Sequence, residues 1–159
     1  MSMAARWLGV VASTDAVTVV DAKIPDDAGP IVIRSDDTWR VQKGDRAAAY
    51  SVLYQQCADY VRENKIDAVI VKASAVMGRG SAALPLLTSA EVRGVVMAAA
   101  AAQCAVKALS KAVISRTYGD RKVDEYLADD QFWSSHTTGG TLRKLSREAA
   151  MLLIAVRND

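Results

Sequence analysis

Trp7-Leu8-Gly9-Val10-Val11-Ala12, followed beyond Ser13-Thr14-Asp15 by Ala16-Val17-Thr18-Val19-Val20-Asp21, decides the architecture. The first stretch is a short apolar run of the kind that forms a buried strand. Ser13-Thr14-Asp15 has turn chemistry. The second stretch is rich in β-branched residues, which predicts a second strand. Ala22 to Gly29 holds Pro25, Asp26, Asp27 and Gly29 and reads as a loop. Pro30 to Val41 follows as a third strand, with Ile31, Ile33 and Trp39 as its apolar positions. Three strands joined by short connections predict an antiparallel meander.

Working outward, Asp45 is placed as the N-cap of a helix over Arg46 to Asn64. Ala49, Leu53, Cys57 and Val61 recur every four residues and form its core stripe. Ile66 to Ala73 is a short apolar run, expected to be a central strand parallel to the first. Ser74 to Leu87 contains Gly78, Gly80 and Pro85 and reads as a long connection. Thr88 or Ser89 is the expected cap of the next helix, with Glu91 as capping-box partner of Thr88. Glu91 to Gln103 is nearly apolar all round, which predicts burial on more than one side. Ala105 to Leu109 is a strand candidate, and Ser110 caps Lys111 to Thr117. Tyr118-Gly119 breaks the chain before a helix capped by Asp120 and ending at Leu127. Ser134 to Thr141 is polar and contains glycine, so it reads as a loop. Leu142 to Arg157 closes the chain as a helix, with Leu145, Ala149, Leu152 or Leu153, and Val156 facing inward. The order β-β-β-α-β-α-β-α-α predicts one mixed α/β domain over residues 1–159.

The chain has 159 residues, 51% of them apolar, enough for one full core. Its net charge of +2 does not by itself imply nucleic acid. No run of about 20 apolar residues is free of charge, so no membrane span is expected. Met1 to Arg6 is too short for a secretion signal, and a cytoplasmic location is expected. Cys57 and Cys104 lack metal or redox spacing and read as buried thiols. His136 has no partner for catalysis or zinc and reads as a loop residue.

Six segments carry a family likeness when taken in order: Leu8-Gly9-Val10, Asp67-Ala68-Val69-Ile70-Val71-Lys72, Ser81-Ala82-Ala83-Leu84, Glu91-Val92-Arg93-Gly94-Val95, Val113 through Lys122 with Gly119, and Glu148 through Ala155. From Arg6 to Val156 the chain resembles the RuvC-like Holliday junction resolvases of the RNase H-like superfamily. The resemblance implies a mixed five-stranded sheet flanked by helices. It also implies two-metal phosphodiester hydrolysis, in which carboxylates hold Mg²⁺ ions roughly 4 Å apart. The family supplies those acids from the first strand, the end of the central strand, and two positions three apart on the last helix. Here the same positions are Val11, Lys72, Glu148 and Met151. Only Glu148 is acidic. An ammonium at 4 Å repels a dication by several kcal/mol at an effective dielectric of about 20. Shifting the alignment by one residue meets Val10, Ala12, Val71 or Ala73, none of them acidic. The resemblance therefore implies a degenerate member that has lost catalysis and needs no metal or other cofactor.

A relocated metal site would have to draw on Asp15, Asp21, Asp36, Asp37 and Glu91, whose spacing is unspecific. Ser13 and Thr14 with Lys72, or Arg79 between Gly78 and Gly80, are candidate phosphate contacts, although plain turn and loop roles fit them better. Trp39, Phe132 and Trp133 are candidates for base stacking or for ordinary packing. Two uses of the scaffold follow. As an interaction module it would form a homodimer, or dock another protein, through Glu91, Gly94, Val95, Ala98 and Ala102. Gly94, Ala98 and Ala102 lie four apart and permit close approach of another helix. As a nucleic-acid adaptor it would set Lys72, Arg79, Arg116, Arg121, Lys122, Arg143 and Lys144 on the phosphates of DNA or RNA. The first use is favoured slightly.

Overall fold

The structure is a computed structural model that describes residues 4–73, 84–117 and 121–158. Arg79, Tyr118, Gly119 and Asp120 lie outside them, as does the side chain of Arg116. One sheet runs through the domain. Its strands are β1 (Ala5–Ala12), β2 (Ala16–Ile24), β3 (Ile31–Arg40), β4 (Ala68–Lys72), β5 (Ala105–Leu109) and β6 (Thr137–Thr138), in the order β5-β4-β1-β2-β3-β6. The first three strands form the expected antiparallel meander. β4 adds to β1 and β5 to β4, both parallel.

The sheet has six strands where the sequence reading expects five. The sixth lies in the segment read as a polar loop. There α5 (Asp130–His136) leads directly into β6, which pairs parallel to β3 through Ile31 with Thr137 and Val32 with Thr138. A two-residue strand has no alternation to detect, so its sequence signal is weak. Gly139 then turns the chain at φ +86°, a backbone state that favours glycine.

Alternation along the strands divides the core into two layers. Leu8, Val10, Val17, Val19, Val69 and Val71 face α1 (Arg46–Glu63) and α2 (Leu84–Ala101). Val20, Ala22, Ile70 and Leu109 face α6 (Arg147–Arg157), with α3 (Lys111–Thr117), α4 (Val123–Leu127) and α5 completing that side. The α1 helix follows its sequence signals closely. Asp45 accepts a hydrogen bond from the Ala48 amide at 3.3 Å, and Ala49, Leu53, Cys57 and Val61 are all buried. Lys65 takes a left-handed conformation at φ 53°, and the Ile66 amide reaches back to the Val61 carbonyl at 3.0 Å, which ends the helix.

Three helices depart from expectation. α2 starts at Leu84, so Thr88 and Ser89 are interior and donate to the Leu84 and Leu86 carbonyls instead of capping. It is long and apolar enough to cross a membrane by composition, yet Val92, Val96, Ala99 and Ala100 pack on the sheet and α1. Only that one face is buried, against the expectation of burial on several sides. α4 begins at Val123, directly after Lys122, whose amide donates to Glu125 Oε2 at 3.2 Å. The last helix is preceded by a 3₁₀ turn over Lys144–Ser146, which swings Leu145 out to 82% exposure rather than into the core. Within α6, every residue from Ala149 to Ala155 is buried, because the helix is covered by the sheet on one side and by α3 and its neighbours on the other.

Gly9 permits that burial. A Cβ on Gly9 would stand 2.2 Å from the Ala149 carbonyl oxygen. The backbones of β1 and α6 therefore touch where any side chain would separate them. Gly9→Ala is expected to lower stability by roughly 1–3 kcal/mol, as overpacking does when backbone must give way. Urea unfolding of the variant measures it.

Candidate functional site

The candidate site lies where the parallel strands β1 and β4 end beside the start of α6. Val10 pairs with Val71, so Val11 and Lys72 stand on the next rung. Strand alternation turns both toward α6. Glu148 sits in the first turn of α6, and Met151 follows three residues later on the same side. The structure thus gathers the four positions singled out in the sequence. Lys72 Nζ lies 2.7 Å from Glu148 Oε1, with the two side chains 28% and 23% exposed. Met151 is fully buried in the apolar layer, and Val11 packs against the same layer.

Within this group one carboxylate is already engaged by an ammonium, and two positions offer hydrocarbon and a thioether. Mg²⁺ requires several hard oxygen ligands. The side chains present do not fit a two-metal centre. They form a partly screened ion pair over an apolar floor.

Two polar struts fix α6 and hence Glu148. Asp36 on β3 accepts from the Arg143 amide at 3.0 Å and from Arg143 Nη2 at 2.7 Å, and it also accepts from the Ser146 hydroxyl. Arg143 Nη1 donates to Thr38 Oγ1 at 3.0 Å. Burial of Asp36 pushes its carboxyl pKa up, but the hydrogen bonds from Arg143 and Ser146 outweigh this and hold it below the usual value. The second strut is Arg147, buried beneath α4 and α5. It donates to the Leu127 carbonyl at 2.9 Å and pairs with Asp130 at 2.8 Å.

The remaining expected site residues are spread around the domain. Asp21, fully buried in β2, is bound by Arg6 at 2.7 and 2.9 Å and by the Tyr60 hydroxyl at 2.6 Å. Burial, then the bond to Asp21, raise the Tyr60 phenol to about 12. Asp21 faces α1, on the other side of the sheet from Glu148. Glu91 accepts from Tyr50 at 3.4 Å, and Asp36 is taken up by its strut. Among the described residues no three His, Cys, Asp or Glu side chains form a metal-sized cluster. The relocated metal site is therefore not assembled there. Ser13 hydrogen-bonds within its turn, and Thr14 donates to the Pro85 carbonyl at 3.2 Å, so neither hydroxyl joins Lys72 in an anion site.

Of the expected phosphate contacts, Lys72 and Arg143 are held in the pairs above. Arg121 pairs with Asp129 at 3.0 Å and lies over the Tyr126 ring. Lys122 precedes α4, and Lys144 is exposed in the 3₁₀ turn. Trp39 packs edge-on to Tyr60, while Phe132 and Trp133 pack on each other in the core. These are packing contacts. His136 ends α5 rather than lying in a loop, its Nδ1 2.7 Å from the Phe132 carbonyl. Cys57 is a buried free thiol pushed up to about 12 by burial, and Cys104 is a half-buried one. On the other side, Glu91, Gly94, Ala98 and Ala102 all face outward from α2 and its end, with Val95 half-buried beside them.

Sequence reasoning missed the Arg6–Asp21–Tyr60 network and both struts. Val19-Val20-Asp21 did carry a signal, since an acid inside a β-branched run must find donors if it is buried. Arg143 and Arg147 gave none, because a basic residue before a helix looks the same whether it faces solvent or a partner.

No protein-family model matches the sequence, and no curated protein sequence matches it significantly. Solved structures do match. Thermus thermophilus RuvC superposes with a TM-score of 0.74 at 9% identity, covering 96% of this chain and 93% of that one. The same resolvase in complex with a Holliday junction substrate gives 0.70 at 8% identity, with 97% and 93% covered. The fold is RuvC-like. The yeast mitochondrial Holliday junction resolvase gives 0.66 at 11% identity, covering 97% of this chain and 78% of that one. At such identities the likeness establishes the RNase H-like architecture and leaves function to the residues.

Two measurements follow from the Lys72–Glu148 pair and the Asp36 strut. Lys72→Met and Glu148→Gln are each expected to cost about 1–2 kcal/mol, since each strands a partly buried charge. The double variant should lose less than the sum, with a coupling of about 1 kcal/mol. Urea unfolding of all four proteins gives that value. The Asp36 strut sets an acid limit. Its folded pKa lies below the unfolded one, so its contribution is present above the ordinary carboxylate range and is lost as pH falls through the lowered folded value. The stability gap between the wild type and Asp36→Asn should shrink below about pH 4.

Proposed function

We propose that this chain is a non-cleaving RuvC-like module that acts by binding, and that its binding surface is the outward face of α2. The observation that carries the first half is the 2.7 Å contact of Lys72 with Glu148. The single acid at the family's metal positions already has a cation supplied by the chain. Hydrolysis through paired Mg²⁺ ions would need at least that pair broken and further oxygen ligands found.

The outward face of α2 supports the second half. Leu84 is 74% and Leu87 52% exposed, and Glu91, Gly94 and Ala98 continue the stripe at helical spacing. A Cβ on Gly94 would meet nothing within 4 Å, so the space beside it is open. Small residues in such a stripe let a second helix approach closely, and a second copy of this chain is the favoured partner. Leu84 and Leu87 put exposed apolar side chains at one end of this face, and such surface is common at interaction sites.

A nucleic-acid adaptor is the second reading. The RuvC fold and its relative's complex with a Holliday junction favour it. Against it, Lys72, Arg121 and Arg143 are already spent on carboxylates of the same chain. Moving them to phosphate would forfeit those pairs.

Sedimentation velocity at low and high salt separates these readings. The dimer reading predicts self-association that salt leaves unchanged and that Ala98→Glu abolishes. A monomer at all concentrations would remove it. A labelled four-way DNA junction added to the same samples should remain intact with Mg²⁺. Binding that falls steeply with salt would move the assignment to the adaptor.

A further inference from the structure

We infer that this protein carries a small-anion site at the far end of α6, taking a phosphate group. It lies about 13 Å along the helix from Glu148, at a rise of about 1.5 Å per residue. A cleft of about 260 Å³ opens there, lined by Ala28, Gly29, Pro30, Ser135, His136, Ile154, Arg157 and Asn158. Three separate elements meet in it: the β2–β3 loop, the end of α5 and the end of α6. The ends of α5 and α6 bring Ser135, His136, Arg157 and Asn158 to one small space, and the β2–β3 loop closes it. Ligand clefts share this composition, an apolar floor with a few convergent polar groups. Here Pro30 and Ile154 supply the floor.

The walls are already held in place. Asp27 Oδ1 accepts the Gly29 amide at 2.8 Å, which turns the Asp27 carboxylate into its own loop. A Cβ on Gly29 would stand 2.8 Å from that same oxygen, so the tight turn suits glycine. Arg157 Nη2 donates to the Asp27 carbonyl, which steers the guanidinium to the cleft wall while its other N–H groups make no hydrogen bond among the described residues. His136 is fixed by its Nδ1 contact with the Phe132 carbonyl at 2.7 Å and by stacking on the Phe132 ring at 4.1 Å. A carbonyl only accepts, so Nδ1 bears the hydrogen.

The donor set selects the ligand class. A planar guanidinium suits phosphate oxygens, and the Ser135 hydroxyl and Asn158 amide add neutral donors. The volume lies below the roughly 300 Å³ at which drug-sized ligand sites begin, so the occupant is small, a phosphate ion or the phosphate end of a small ester. The carbonyl end of α6 opposes an anion, as helix C-termini do. Arg157 must therefore supply most of the attraction. No residue of this cleft belongs to the Lys72–Glu148 site or to the α2 face, so it stands or falls apart from the proposed function.

The test is titration of the full chain with inorganic phosphate, followed by amide and side-chain nitrogen NMR, at ionic strength held constant with chloride. The expected result is a saturable set of shifts confined to Gly29, Ser135, His136, Arg157 and Asn158. Arg157→Gln should weaken binding by about tenfold or more, the loss expected when a charge-assisted contact goes. Because Arg157 also ties down the loop, Ser135→Asp is the second variant. It places a carboxylate at an exposed position in the cleft and should abolish the shifts while the rest of the spectrum stays native. Shifts spread over all surface lysines and arginines, no saturation, or unchanged affinity in both variants would overturn the site.

Discussion

The rest of the structure depends on the contact between the backbones of β1 and α6 at Gly9. With no side chain between them, the Ala149 carbonyl comes to within 2.2 Å of where a Cβ would be. A helix seated so deeply must be apolar nearly all round, and Ala149 to Ala155 meet that demand. The same seating decides where the start of α6 falls, beside the ends of β1 and β4. Glu148 reaches Lys72 because the helix cannot ride higher. The Asp36–Arg143 and Arg147–Asp130 struts then fix its first turn against β3 and α5.

The resemblance implies a nuclease scaffold that concentrates acids at that point and uses metal ions to offset their repulsion. Here the balance is reached within the chain. Lys72 brings one positive charge to one remaining negative charge, and Val11 and Met151 extend the apolar layer into the space around them. An ion pair at partial burial is worth little net stability, because desolvation offsets most of its attraction. Removing either partner alone is what carries a cost. The arrangement therefore holds the ends of β1 and β4 against the start of α6 with an ion pair and apolar packing.

Much of this was legible in the sequence, for identifiable reasons. The meander and the α1 stripe were readable because apolar and β-branched runs bounded by turn residues, and four-residue spacing along a helix, are strong local signals. The gathering of Val11, Lys72, Glu148 and Met151 was readable only through the resemblance, since the residues are far apart in the chain and chemically unlike. The Lys72–Glu148 contact itself was not foreseen, because pairing depends on how deeply α6 sits. Other misses have physical causes too. Leu145 looked like a core position because a 3₁₀ turn and an α-helix share much of their sequence pattern, yet successive residues advance by about 120° in one and about 100° in the other. The two-residue strand β6 is too short to carry a pattern. α2 was expected to be buried on more than one side because apolar composition does not say which side has a neighbour.

Whether Lys72 has taken the place of a metal ion at Glu148 is measured most directly by Mn²⁺ binding followed by electron paramagnetic resonance of the free ion, with Glu148→Gln as reference. With Glu148 already committed to Lys72, wild type and variant should leave the free-ion signal equally unchanged. Loss of free Mn²⁺ at one or two ions per chain, reversed by Glu148→Gln, would instead show a working metal centre at this site.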